Sequence, residues 1–345
     1  MRSYRLGIVG AGFITQTAHV PSVNLLGDVE VVAVADPVPE SAQRAARACR
    51  AAHVYAAGEE LLERHGDELD GVIVATPRGT HAEACIPFVE RGVPVLLEKP
   101  LDATHEGARR IVEAQERTGT VVVVGYHNRF DPAFAAAEHL VRERELGRLR
   151  HVSIRSFGGA WKAGAAPPGT LSTADAPRVL EPPRAESRDR REHPAEVEWL
   201  EGWIHEVNLA QALLGDVRDV AFASSAMPRL AVVDYEGGRA LFEVGLISPP
   251  GFPFQCRLTL HCERGRMELE LAPPLLSRAR SVLEVVTHES ATFPSLDFRE
   301  SFVDELSHFL RCVDGAETPR TTVQEAMRDV ELCLAIAGRS EAPVP

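Results

Sequence analysis

Lysine is almost missing from this chain: two of its 37 basic residues are lysines, Lys99 and Lys162, and the rest are arginines. A coding bias toward arginine accounts for the shortage. A lysine retained against that bias is a candidate for work that needs a compact, titratable amine. No run of about 18 apolar residues occurs, so no segment reads as a membrane span. The apolar stretch from Leu6 to Ile14 follows arginines and superficially resembles a leader. It carries Gly7, Gly10 and Gly12 and no cleavage region, so a buried strand and turn are expected there instead. The six cysteines form no Cys-x-x-Cys pair and stand near no histidine cluster at ligand spacing. No metal site is therefore expected, and free thiols in a reducing cytoplasm are. Positive charge is also short, with 50 acidic residues and a formal net charge of −13. The densest basic run, Arg184 to Arg191, is interleaved with Glu186 and Asp189 and reads as a solvated loop. Nothing offers a basic stripe to a nucleic-acid backbone.

What is present is ordinary globular material: 345 residues, 45% hydrophobic and 25% charged, enough for two domains. The first 125 residues alternate Val/Ile/Leu-rich runs with helical stretches. Strands are expected at Tyr4–Val9, Val29–Asp36, Gly71–Thr76, Val93–Glu98 and Val121–Tyr126. Helices are expected between them at Thr15–Leu26, Pro39–Ala52, Gly58–His65, Thr80–Arg91 and Thr104–Thr118. Near-continuous apolar strands suit a sheet buried on both faces. The alternation implies right-handed crossovers, hence an α/β, doubly wound parallel sheet over residues 1–125.

After Tyr126 the pattern changes. A helix at Pro132–Glu145 and a strand at Arg150–Phe157 precede a Pro-, Arg-, Ala- and Glu-rich segment, residues 163–196, read as a mobile loop or an insertion. A helix over Glu196–Leu214 follows. Short strands come next at 217–225, 229–235, 239–247, 254–262, 266–271 and 281–287, punctuated by Gly237-Gly238 and Arg264-Gly265. Helices near Phe298–Asp314 and Thr322–Gly338 close the chain. Residues 126–345 thus read as an α+β domain with a large, mostly antiparallel open sheet, the expected place for substrate binding and oligomerisation.

Chemistry gathers at three places. The first is Leu6-Gly-Ile-Val-Gly10-Ala11-Gly12-Phe13-Ile14-Thr15, a strand, a glycine turn and the opening of a helix. Glycines at 10 and 12 allow a tight turn and a close approach to a pyrophosphate, which the helix N-terminus attracts. Thr15 stands where the usual third glycine would be, and a tight turn in a non-binding fold is the rival reading. Asp36, ending the second strand, can accept both hydroxyls of an adenosine ribose and repel a 2′-phosphate. NAD is therefore favoured over NADP, although a helix N-cap before Pro39 would use the same residue.

The second place is Glu98-Lys99-Pro100, at the end of the fifth strand. Strand ends face the ligand crevice of such a sheet, so Lys99 is expected to point toward a nicotinamide and polarise a substrate oxygen; the alternative is a surface lysine in a turn. The third is Trp199 to Asn208. On one continuous helix, Glu201, His205 and Asn208 share a face, so that His205 can take a hydroxyl proton with Glu201 orienting it. A structural histidine is the competing reading. Tyr126, His127, Asn128 and Arg129 leave the last parallel strand and are candidates to touch substrate or nicotinamide, or else to pack a hinge with Arg129 in an ion pair. Lys162, beside Trp161, reads as a solvated side chain.

Taken in order, Gly10-Ala11-Gly12, Ala75-Thr76-Pro77, His81, Glu98-Lys99-Pro100, Gly125 to Phe130, Ser301 to Leu306, Pro319 and Ala335 to Ser340 resemble the Gfo/Idh/MocA oxidoreductase family. The likeness covers nearly the whole chain, with residues 163–196 as the outlier. It implies a Rossmann domain, a nicotinamide cofactor and a polyol substrate such as a sugar, amino sugar or cyclitol. Lys99 would be the active-site lysine, followed by a cis bond to Pro100. Thr76, Pro77, His81 and Glu98 would lie along the cofactor with Gly10, Ala11, Gly12, Phe13, Ile14 and Asp36. Inositol-dehydrogenase-like members carry an Asp, a His four residues later and an Asp three after that. Here Glu201 and Asn208 replace the two acids, which puts an inositol-like hydroxyl clamp in doubt. The expected activity is hydride transfer between NAD and a secondary alcohol. The rivals are a redox-neutral NAD-assisted glycosidase or epimerase and a non-catalytic dinucleotide-sensing protein. By analogy, a homodimer or homotetramer formed through the C-terminal sheet is expected.

Overall fold

The computed structural model describes residues 3–159, 194–224, 226–245, 254–276 and 279–340. The loop or insertion expected over 163–196 lies mostly outside the described residues, as do Trp161 and Lys162. The chain forms two compact units. One comprises residues 3–126 and Phe302–Val330 of the described chain, the other the remainder.

The first unit is built on a six-stranded sheet. Its strands are β1 (Tyr4–Val9), β2 (Val29–Ala35), β3 (His53–Tyr55), β4 (Gly71–Val74), β5 (Val95–Glu98) and β6 (Val122–Gly125), in the order β3-β2-β1-β4-β5-β6 with every pair parallel. The strands expected from apolar runs are all present. β3 was not foreseen, because three residues are too few to show a period. The strand order reverses between β1 and β4, which is where ligands bind in open sheets of this kind. Between the strands run α1 (Val20–Leu26), α2 (Pro39–Cys49), α3 (Gly58–His65), α4 (His81–Arg91) and α5 (His105–Thr118). The first expected helix does not begin as an α-helix: Thr15–His19 is a π turn, with Val20 N–H donating to the Thr15 carbonyl. Pro21 explains the local change, because it has no N–H to give to Thr17 in an α ladder.

The two closing helices are α9 (Ser301–Val313) and α10 (Val323–Ser340). Leu306, Phe309, Leu310 and Cys312 of α9 join Leu6, Ile8, Ile73 and Leu96 in one core cluster. Phe309 is wholly buried, and its ring fills the space over Gly71, where a Cβ would come within 2.7 Å of it. A buried aromatic of this kind contributes about 3–5 kcal/mol. Thr321 covers the open edge of β6, donating its hydroxyl to the Val124 carbonyl at 2.6 Å and accepting the Val124 N–H at 3.0 Å. The sequence reading assigned everything after residue 125 to the second domain, whereas Phe302–Val330 packs with the first unit. The amphipathic pattern of α9 announced a buried face without saying which sheet it would cover.

The second unit holds α6 (Pro132–Arg142), β7 (Leu149–Phe157), α7 (Pro194–Gly202), α8 (Ile204–Leu214), β8 (Val217–Ala223), β9 (Arg229–Tyr235), β10 (Gly238–Gly245), β11 (Gln255–Cys262), β12 (Gly265–Leu271), β13 (Val282–Val286) and β14 (Ala291–Thr292). Its eight strands follow the order β14-β13-β12-β11-β7-β10-β9-β8, antiparallel except for the β7–β10 pair. One face is apolar and buried, with Val152, Ile154, Phe242, Leu258 and Met267. The other carries charge pairs such as Arg155–Glu243 and Arg257–Glu270. No helix among the described residues is long and apolar enough to cross a membrane.

The helix expected over Glu196–Leu214 is two helices. Trp203 interrupts it with φ −128° and ψ 11°. Gly202 before it is a weak helix former, costing about 1 kcal/mol against alanine. The Trp203 ring is drawn into the core, where it packs edge-on against Trp199 at 5.4 Å.

Candidate active site

The carboxyl ends of β1, β2 and β4 converge on the glycine turn. Gly10 adopts φ +91°, and a Cβ there would lie 2.3 Å from the Ala75 carbonyl oxygen. Its clearance thus admits the end of β4. Gly12 differs: a Cβ there would meet nothing within 4 Å, so its backbone borders open space. Thr15, in the place of a third glycine, is buried and donates its hydroxyl to the Gly10 carbonyl at 2.7 Å. Gln16 donates its side-chain amide to the Ala11 carbonyl at 2.7 Å. Two side chains thereby hold the turn that the glycines permit, with Phe13 and Ile14 following it.

Asp36 stands just beyond β2. Its Oδ2 accepts the Ala11 N–H at 2.7 Å and its Oδ1 accepts the Val38 N–H at 2.8 Å. The residue capping α2 is Val38, with no side-chain cap bond, so Asp36 is not the N-cap of that helix. Its carboxylate is oriented by the turn, and each oxygen keeps a lone pair for a further donor. Thr76, after β4, buries a hydroxyl that has no partner among the described residues. A dinucleotide fits this set: open backbone at Gly12, an oriented carboxylate at Asp36, and an orphaned hydroxyl at Thr76 beside the turn.

Two expected contacts have other occupations. His81 is buried, with Nδ1 at 2.7 Å from the Pro100 carbonyl oxygen and Nε2 at 3.0 Å from that of Thr76. It ties the end of β4 to the turn after β5. Pro77, in that same β4 turn, is exposed and accepts the Thr80 N–H at its carbonyl.

Glu98 closes β5 and is buried. Its Oε1 lies 2.9 Å from Nε2 of His19 and its Oε2 accepts the Lys99 N–H at 3.1 Å. The Lys99–Pro100 peptide is cis, and the Lys99 side chain is half-buried. Glu305, on α9, is wholly buried, and neither of its carboxyl oxygens has a hydrogen-bond partner among the described residues. Burial, and then the charge of Glu98, hold its carboxyl well above the usual carboxylate range. Neither His19 nor Glu305 was singled out from sequence. The available signal was polarity in an apolar stripe: Glu305 sits among Phe302, Leu306 and Phe309 at helical spacing, and His19 follows Thr15 by four residues.

The raised Glu305 carboxyl has a consequence for stability. The folded chain keeps a proton that the unfolded chain releases above its ordinary pKa, so stability falls as pH rises, by about 1.4 kcal/mol per pH unit while the folded form stays protonated. Glu305→Gln keeps the neutral shape and removes that proton. Its melting temperature is expected to gain on the parent's as pH rises above the ordinary carboxylate range. Parallel thermal melts check this, and a gap that does not vary with pH would contradict it.

In the second unit, His127–Phe130 forms a short helical turn before α6. Arg129 is buried: its guanidinium meets Glu138 at 3.0 Å and the Asn208 side-chain oxygen at 3.5 Å. The ion-pair reading of Arg129 therefore describes its placement, and Asn208, also buried, accepts from it. Asn128 accepts the Asp131 N–H through its carbonyl, and the Tyr126 ring is buried at the end of the first unit. His205 is half-buried in the first turn of α8, while Glu201 is exposed on α7. The break at Trp203 removes the continuous helix on which their shared face was argued. His205 meets a different neighbour: the His127 ring, 4.7 Å away between centroids at 62°. Glu206, beside it in sequence, points into the core, accepting from Ser156 Oγ at 2.7 Å and from Cys256 Sγ at 3.7 Å. Burial, and then Glu206, push the Cys256 thiol well above its ordinary value. All six cysteines are free, and no metal-binding group of His, Cys, Asp and Glu occurs among the described residues.

A parallel sheet in this order, with an open glycine turn and an acid ending its second strand, defines an NAD-binding Rossmann unit. Residues 4–126 match the model of the oxidoreductase family GFO_IDH_MocA, NAD-binding Rossmann fold. Over those residues the chain is similar to the Gfo/Idh/MocA oxidoreductases. It is 29% identical over 282 residues to inositol 2-dehydrogenase 4 of Saccharopolyspora erythraea, an alignment covering 78% of this chain and 74% of that one. It is 25% identical over 334 residues to inositol 2-dehydrogenase of Rhizobium meliloti, covering 91% and 90%. In fold it is similar to the crystal structure of a myo-inositol dehydrogenase from Corynebacterium glutamicum. That match has a TM-score of 0.73 and 21% identity, covering 98% of this chain and 97% of the other.

Proposed function

We propose that the protein is an NAD-dependent dehydrogenase of a secondary alcohol on a cyclitol or sugar, working reversibly. The observation that carries this reading is the grouping of Gly12, Asp36 and Thr76 at the ends of β1, β2 and β4, with Lys99 ending the neighbouring strand β5. The inositol 2-dehydrogenase relatives support the substrate class. When bound, the nicotinamide supplies the carbon that accepts hydride. Lys99 donates a hydrogen bond to the carbinol oxygen and stabilises the negative charge that builds there. His205 takes the hydroxyl proton as the hydride leaves and returns it in the reverse direction. Asp36 receives the adenosine ribose hydroxyls.

The test is a panel of inositols, sugars and amino sugars incubated with excess NAD, followed by absorbance and product analysis. NADH formed in step with a ketone product is the expected result. Binding of NAD without turnover of any alcohol, or product formed with no net NADH, would sink the dehydrogenase reading.

A further inference from the structure

The turn His127–Phe130 is pinned from several sides. Arg129 is bonded to Glu138 on α6 and to Asn208 on α8. Its guanidinium carbon lies 6.0 Å from the Phe134 ring centroid. His127 itself is buried, with Nδ1 3.3 Å from the hydroxyl of Ser301, the first residue of α9. The ring so held stands edge-to-face against His205 at 4.7 Å. Glu201, the residue that helical spacing offered as its orienter, is exposed on the far side of the break at Trp203.

We propose that His127 is the positioning residue for His205: its ring, fixed by Ser301 and by the anchored turn, sets the orientation in which His205 exchanges the carbinol proton. This rests on the acid–base role given to His205 above. The contact is one of ring against ring, an arrangement aromatic side chains adopt through shape and quadrupole, so it does not require a carboxylate neighbour. A shift of about 1 Å at a reacting group can cost about 10²-fold in rate, which sets the size of the expected effect.

The test compares His127→Phe with His127→Ala in the full-length protein, each alone and combined with His205→Asn. The probe is NAD with the panel alcohol oxidised fastest. His127→Phe is expected to keep kcat near that of the parent. His127→Ala is expected to lose about 10²-fold in kcat with NAD affinity unchanged, when assayed well below its lowered melting temperature. In the His205→Asn background, His127→Ala is expected to cost nothing further, because the group it orients is gone. Histidine ring NMR gives a readout that needs no turnover: the His205 signals should stay sharp in His127→Phe and broaden or split in His127→Ala. Equal loss from His127→Ala in both backgrounds, or a His127→Phe variant as impaired as the alanine, would overturn the proposal. So would His205 signals unmoved by the alanine. A fully active His205→Asn would overturn the role of His205 along with it, whereas an active His127→Ala beside an inactive His205→Asn would remove only the positioning role.

Discussion

Lys99→Met is expected to lose turnover while binding NAD as tightly as the parent. The substitution keeps the length and apolar stem of the side chain and deletes only the ammonium. Glu98 accepts the backbone N–H of residue 99, which the substitution leaves in place, so the β5 end and the turn tied by His81 should keep their geometry. What the substitution deletes is the donor proposed to meet the growing charge on the carbinol oxygen. Removing one such donor costs roughly 10²–10³-fold in kcat, and a charged donor belongs at the upper end of that range. Stopped-flow NADH formation measures the rate, and calorimetric titration with NAD measures binding. Turnover at the parent's rate would strip Lys99 of its role. Weakened NAD binding would mean that the residue serves the cofactor instead.

His205→Asn carries the second large effect. Asparagine keeps a polar side chain in the first turn of α8 and cannot act as a base. General-base catalysis by a placed side chain contributes typically 10²–10⁴-fold. We expect kcat to fall by about that range and the limb of the pH–rate profile set by the lost ionisation to disappear. Hydroxide or a small added base such as imidazole should restore part of the rate. A pH profile of unchanged shape would exclude His205 as the proton acceptor, however large the loss.

The residues that convey these roles differed in how openly the sequence displayed them. β1, β9 and α3 lie where the apolar periods and glycine punctuation placed them, because each element's pattern is local. The glycine turn and Asp36 were legible for the same reason: strand, turn and helix lie consecutively along the chain. Local reasoning weakened at Pro21 and Trp203, where one residue changes the helical register and with it the face a side chain shares. It stopped at contacts between distant segments. The meeting of Glu305 with Glu98, and of Phe309 with Gly71, depends on which sheet α9 covers, and an amphipathic pattern specifies a face without an address. His127 was visible as a polar residue leaving β6, but its partnership with His205 depends on the fold of the second unit.

The return of α9 to the sheet that begins the chain has a bearing on biosynthesis. The nucleotide-binding half is encoded first, yet Leu306, Phe309 and Leu310 are structural members of its core. A ribosome that has delivered only residues 1–126 has made all six strands and left uncovered the part of the layer on which α9 packs. That surface must wait for nearly the entire polypeptide to emerge, so the half that is translated earliest is among the last to be completed.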